Sequence, residues 1–122
     1  MGANNFDRNP RYSYGNTSEA NNSLVFRDSE NCIISGAHIT NVWRDPAGLL
    51  IENCRRMNIT GCTILDCDNV GLLLRNVVDS RVSDCLIDDD RPDSTSLPLL
   101  VVGGHGNQII DNLLNGRPQG SE

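Results

Sequence analysis

Lysine is absent from this chain of 122 residues, and all ten basic residues are Arg. Aromatics are scarce: one Trp, two Tyr and two Phe. Against 16 Asp and Glu the formal net charge is -6 and the pI about 4.7. Such an acidic chain has no basic footprint for a phosphate backbone, so nucleic acid is excluded as a partner. No apolar run approaches the roughly 20 residues of a membrane span. The first residues lack the charged, apolar and small-residue succession of a signal peptide. No window keeps a helical period. The five Cys, at 32, 54, 62, 67 and 85, are an odd number with no C-x-x-C pair, and neither His is spaced from them in a zinc pattern. They read as small buried hydrophobes rather than as a disulfide framework.

Asn, Gly and Asp are plentiful instead, and these are the residues of tight bends. They punctuate a repeat. Residues 48–87 laid over themselves with a shift of 23 put Gly48 on Gly71, Ile51 on Leu74, Ile59 on Val82, Cys62 on Cys85 and Ile64 on Ile87. A self-match of this period decides the fold before any other signal. It extends to four copies, with shifts of 25, 23 and 27 between them. Four columns follow: Phe26, Ile51, Leu74, Val101; Ile34, Ile59, Val82, Ile109; Ala37, Cys62, Cys85, Asn112; and Ile39, Ile64, Ile87, Leu114. Within each copy apolar and polar residues alternate, the period of a strand. Outward positions keep the same register. Arg27, Glu52 and Arg75 share a column, Glu30 falls on Arg55, Arg56 falls on Asp79, and Asp28, Asn53 and Asn76 share a bend.

Three short strands per copy of about 23 residues make one coil of a solenoid. Successive coils pair in parallel at roughly 4.8 Å, and each needs its neighbours to bury its inward face. The expected fold is all-β, a right-handed parallel β-helix of about four coils over residues 24–116. Residues 1–23 are expected to form a polar lead-in, a partial coil or an end cap, with Arg11–Tyr14 either a short edge strand or part of that lead-in. Residues 117–122 are expected to be a flexible tail, because Gly116 and Pro118 break the strand. The longest insertion, Asp88 to Pro98, falls at a bend and reads as a loop, with two Pro and no apolar period.

The stretches GLLIENCRRMNITGCTI, GLLLRNVVDSRVSDCLI and LVVGGHGNQIIDNLL resemble the repeats of the pectate-lyase-like superfamily of right-handed parallel β-helices. The resemblance covers about residues 24–114. It implies that the parent protein is exported or held at a cell surface, that this chain is a piece of it or a short member, and that a polysaccharide or other glycan is the partner. Lyases of that superfamily bridge Ca²⁺ to an acidic sugar with acidic residues and use an Arg as base. No motif of theirs maps onto this chain residue by residue.

Candidate chemistry lies where the period breaks. Asp88, Asp90 and Asp93 offer oxygen ligands of the kind Ca²⁺ takes, against the plainer reading of a solvated acidic loop. Asp66 stacks on Asp89 under the register, a pair near the spacing a glycoside hydrolase needs; for a lyase, the resemblance would give Arg91 or Arg44 the role of the base. Asp84 and Asp111 repeat in the same way and read as bend residues. Trp43 beside Arg44 is a platform for a sugar ring, or a cover over the longest coil. His38, His105 and the sequons at Asn21 and Asn58 have no supporting context. The leading expectation is a non-catalytic β-helix module of a carbohydrate-directed or surface protein. The alternatives are a lyase or hydrolase acting through the acidic bend, and an oligomerisation or fibre module associating through its open ends.

Overall fold

The computed structural model describes residues 4–7, 24–42, 47–92 and 94–118. Among them are fourteen strands and no helix: β1 (Asn4–Asp7), β2 (Leu24–Arg27), β3 (Ile33–Ser35), β4 (Ala37–Thr40), β5 (Leu49–Glu52), β6 (Asn58–Thr60), β7 (Thr63–Leu65), β8 (Val70–Arg75), β9 (Arg81–Ser83), β10 (Leu86–Asp88), β11 (Leu97–Val102), β12 (Gln108–Ile110), β13 (Leu113–Leu114) and β14 (Arg117–Pro118). They build three sheets by strict rotation. The first runs β2-β5-β8-β11, the second β3-β6-β9-β12, and the third β1-β4-β7-β10-β13-β14. Every pairing is parallel except β13 with β14. The chain therefore winds as a β-solenoid of about three full turns, with a fourth layer of strands begun by β11.

The pairing is the register of the repeat. Phe26 lies beside Ile51, Ile51 beside Leu74 and Leu74 beside Val101. Ile34, Ile59, Val82 and Ile109 line up in the second sheet. Ile39, Ile64, Ile87 and Leu114 line up in the third. Apart from the exposed Val101, these columns form one core with Cys54, Met57, Cys62, Cys67, Val77 and Cys85. Fully burying one such Leu or Ile contributes about 1.5–3 kcal/mol. All five Cys are free thiols. In the small-residue column, Asn112 ends the run inside the core. Its Oδ1 accepts from Cys85 N at 2.9 Å and its Nδ2 donates to Val82 O at 3.3 Å.

A solenoid must turn three corners per coil, and left-handed residues recur at them: two columns at the bend after the first sheet, one at the bend after the second, and Asn41 and Asp66 at the bend after the third. Asp28, Asn53, Asn76 and Gly103 form one column, Asn31, Arg56, Asp79 and Gly106 a second, and Gly36, Gly61, Asp84 and Asp111 a third, all with φ between 52° and 74°. Asn, Asp and Gly tolerate this region at less cost than other residues do. Asp84 and Asp111 are corner residues. The inter-coil ladder continues through the corners: Asn53 N donates to Arg75 O at 2.9 Å, Arg56 N to Val78 O at 3.1 Å and Gly61 N to Ser83 O at 3.2 Å. Outside, Glu52 accepts from Arg27 Nε at 2.7 Å and Arg75 Nη1 at 3.1 Å, which lowers the Glu52 pKa. Glu30 meets Arg55 at 3.6 Å.

Four features depart from the sequence reading. First, Asn4–Asp7 is a strand that adds a layer above β4, with Phe6 in register with Ile39; Arg11–Tyr14 lies outside the described residues. Second, the insertion ends at Ser96, because Leu97 and Pro98 already belong to β11. Pro lacks a donor, and β11 is an edge strand whose outer side makes no ladder to lose. Third, the chain does not simply break at Gly116. Asn115 and Gly116, with φ of 49° and 77°, make a two-residue reversal that pairs Leu114 with Arg117. This is the Asn-Gly hairpin signal. Fourth, Leu50 and Leu73 are buried on the outer side of the first sheet, in a second cluster with Ala47, Val70 and Leu100.

Two substitutions test this architecture. A Cβ on Gly71 would lie 2.6 Å from Ile87 Cγ2 and 2.8 Å from the Pro98 carbonyl oxygen. Gly71→Ala is therefore expected to destabilise the protein by about 1–3 kcal/mol in urea unfolding. Arg56 is the one residue of the twelve in the corner columns that is not Asn, Asp or Gly. Arg56→Asn is expected to raise stability by roughly 1 kcal/mol.

Candidate functional site

The insertion between β10 and β11 folds back on the solenoid around one side chain. Asp89, with only 7 % of its side chain exposed, faces the bend. Arg91, two residues on, closes a fork over it: Nε reaches Asp89 Oδ1 at 2.8 Å and Nη2 reaches Asp89 Oδ2 at 2.7 Å. Arg91 N also donates to Oδ1 at 3.1 Å, and the hydroxyls of Ser94 and Ser96 both donate to Oδ2. The guanidinium then reaches the previous coil, with Nη1 on Asp68 Oδ1 at 2.7 Å and Nη2 on the Cys67 carbonyl at 3.1 Å. Forked Arg–carboxylate pairs are short, strong and geometrically specific.

Local sequence explains why the loop adopts this shape. Asp66 is left-handed, and its Oδ1 accepts from Asp90 N at 3.0 Å, so the corner of coil two holds the start of the loop in coil three. Asn115 Oδ1 accepts from Asp89 N at 3.2 Å from the other side. Ser94 and Ser96 alternate along the returning chain, so both hydroxyls arrive at the same carboxylate. The lock leaves an open cleft of about 340 Å³ lined by Asp68, Asn69, Arg91, Ser94, Thr95 and Ser96. Its walls are hydroxyl, amide, carboxylate and guanidinium groups, with Pro92 as the apolar exception.

The electrostatics follow from these contacts. The Arg91 guanidinium, despite some desolvation, holds the Asp89 carboxyl far below the usual carboxylate range, and the two serine hydroxyls add to this. Asp89 in turn, with Asp68, holds Arg91 protonated more firmly than a free Arg. Burial pushes the neighbouring Cys67 thiol up to about 11. The hydrogen bond with Cys62, together with burial, raises the Cys85 thiol. Neither thiol is an activated nucleophile.

The structure brings Asp66, Asp89 and Arg91 to one bend, but in different roles. Asp89 and Arg91 neutralise each other, and Asp66 holds the backbone. Asp68 is the second anchor of Arg91. Its carboxylate stays 47 % exposed on the cleft side. Asp88 closes β10 opposite Leu65. Asp93, Trp43, Arg44 and Asp45 lie outside the described residues. Asp68 and Asp89 are committed to Arg91, and among the described residues no three His, Cys, Asp or Glu side chains gather as a metal site. His38 and His105 lie away from the cleft, on β4 and at the bend before β12. A second, shallower groove of about 430 Å³ follows the corner of Asp28, Asn53 and Asn76, where Asn76 Nδ2 donates to Asn53 Oδ1 at 3.3 Å.

Parallel strands stacked in three sheets, with an insertion expelled at a bend, define a β-solenoid. A family model described as a right-handed beta helix region matches residues 3–120, and the chain belongs to that family. Comparison with curated proteins and with solved structures gives no match.

The lock makes a pH prediction. Asp89 has a folded-state pKa below its unfolded value of about 3.9. Its contribution is therefore complete above that value and is lost as pH falls through the lowered folded pKa. Asp89→Asn is expected to cost about 2–3 kcal/mol at pH 7, since it breaks charged hydrogen bonds around a buried group. Urea midpoints of wild type and variant should converge as pH is lowered below about 4.

Proposed function

We propose that the chain is a glycan-recognition module of the right-handed β-helix family, non-catalytic in itself, whose contact site is the cleft beside Arg91. The observation that carries this reading is the closed ion-pair lock. A glycosidase needs a carboxyl whose pKa is raised so that it can donate a proton. The best-placed carboxyl, Asp89, is instead held ionised. A lyase base must accept a proton, and Arg91 is held protonated between two carboxylates. What remains facing solvent suits hydrogen bonding to hydroxyl groups: Asp68, Asn69, Ser94 and Thr95 on a rigid backbone. Polar groups fixed by a scaffold give orientation and specificity to a bound small molecule. The fork also fixes the cleft wall before any ligand arrives, which reduces the ordering cost of binding.

The catalytic alternative acts at the same bend and is separated by turnover. The full chain, offered a panel of neutral, acidic and amino-sugar polysaccharides, is expected to bind at least one. It should release neither new reducing ends nor ultraviolet-absorbing unsaturated products. Thr95→Ala is expected to weaken that binding about tenfold, equivalent to one lost hydrogen bond of roughly 1.4 kcal/mol, with an unchanged melting temperature. Turnover of any polysaccharide, or binding indifferent to Thr95→Ala and Asp68→Ala together, would contradict the reading.

A further inference from the structure

The donors and acceptors of the cleft beside Arg91 can be counted. A guanidinium carries five N–H groups and no acceptor. Arg91 directs Nε to Asp89 Oδ1, one Nη1 proton to Asp68 Oδ1, and its two Nη2 protons to Asp89 Oδ2 and the Cys67 carbonyl. One N–H, on Nη1, is left to face a ligand. A ligand carboxylate pairs best with two parallel N–H groups, and Arg91 already gives that fork to Asp89. Among the described residues that line the cleft, Arg91 is also the only cation.

The serines point the same way. A hydroxyl has one proton to donate and two lone pairs to accept with. Ser94 and Ser96 both direct their proton to Asp89 Oδ2. Ser96 N donates to Ser94 Oγ at 3.2 Å and takes up one of its lone pairs. The two hydroxyl oxygens lie side by side, 3.2 Å apart, and what they still offer is acceptance. Asp68 adds to this. Its Oδ1 meets Arg91, while its carboxylate stays 47 % exposed. Two carboxylates against one guanidinium leave the lock with a net negative charge, on a chain already at -6.

Resting on the glycan-recognition reading above, we infer that the cleft takes a basic amino sugar, its protonated primary amine held by Asp68 and the oxygens of Ser94 and Ser96, and that Asp68 sets this preference. An ammonium group has three donors and no acceptor, which complements such a wall. An acidic sugar meets a repelling carboxylate and no available fork, and repulsion of this kind separates ligands as effectively as attraction. An N-acetylated sugar loses the charge and brings a carbonyl that needs a donor of its own.

The test is isothermal titration of the full chain at low ionic strength and mildly acidic pH, where the sugar amine is protonated. The probes are tetrasaccharides of glucosamine and of galactosamine, each with amines exposed or N-acetylated, together with tetragalacturonate and with spermine, a polyamine without a sugar. At least one exposed-amine tetrasaccharide is expected to bind about tenfold more tightly than its N-acetylated form and than spermine, with tetragalacturonate weakest. Asp68→Asn keeps an oxygen for Arg91 and removes the charge, and should bring the two forms to within about twofold of each other. Asp84→Asn removes the same charge at a different corner, where Asn suits the left-handed backbone, and should leave the preference intact. Exposed-amine and N-acetylated forms binding alike, with Thr95→Ala weakening both, would overturn this inference and leave the glycan reading standing. No binding by any glycan would remove both. Spermine binding as tightly as the amino sugar, or Asp84→Asn acting like Asp68→Asn, would assign the preference to the diffuse acidity of the chain and overturn it as well.

Discussion

The structure depends on one constraint: each coil must hydrogen-bond to the next in parallel and in register, at a single spacing, all the way round. That ladder is unbroken only if the chain turns without losing backbone partners. Left-handed residues recur at the bends, and eight of the twelve in these three columns donate their amides to the following coil. With the corners fixed, inward residues stack on inward residues. The alternation of apolar and polar side chains then becomes a continuous core rather than three separate sheet faces. An added residue within a strand would turn its side chains to the wrong face. The chain therefore places its extra residues at bends, and the longest of these insertions carries the candidate site.

That site is the corner rule turned to another use. Asp66, left-handed like the other corner residues, holds the loop by a side chain instead of a main-chain carbonyl. Asp68, Asp89 and Arg91 then make a closed set of charges that the scaffold can hold without a core around it. Isolated exposed ion pairs contribute little. Here the carboxylate is nearly buried and accepts five donors, so the pair fixes geometry as well as adding stability. The resulting wall is polar, and its charges answer one another. Fold alone does not choose among activities, since β-helices carry many.

Much of this was legible in the residues, because stacked coils convert three dimensions into sequence shifts. The columns through Ile51, Ile59 and Ile64 needed only the period. The same rule would have found the Asp68–Arg91 pair, which is separated by the same 23 residues as Glu52 and Arg75. The Arg91–Asp89 fork was not readable, since it depends on how an aperiodic loop folds back. The buried outer face at Leu50 and Leu73 had a signal in the uninterrupted LLI and LLL runs, which mark strands covered on both sides. The closing hairpin had one in Asn115-Gly116. β1 gave little sign, because four residues are too few to show a period.

Site-resolved amide hydrogen exchange on the full chain tests the central account most directly. Asn53, Arg56, Gly61 and Asp66 sit at the bends of coil two, and each donates its amide to coil three. Elsewhere, exposed turn amides exchange freely. The account predicts that these four exchange as slowly as the strand amides of β6 and β9, and together with them. Exchange at unprotected rates at these four positions, with β6 and β9 protected, would contradict a ladder that passes through the corners.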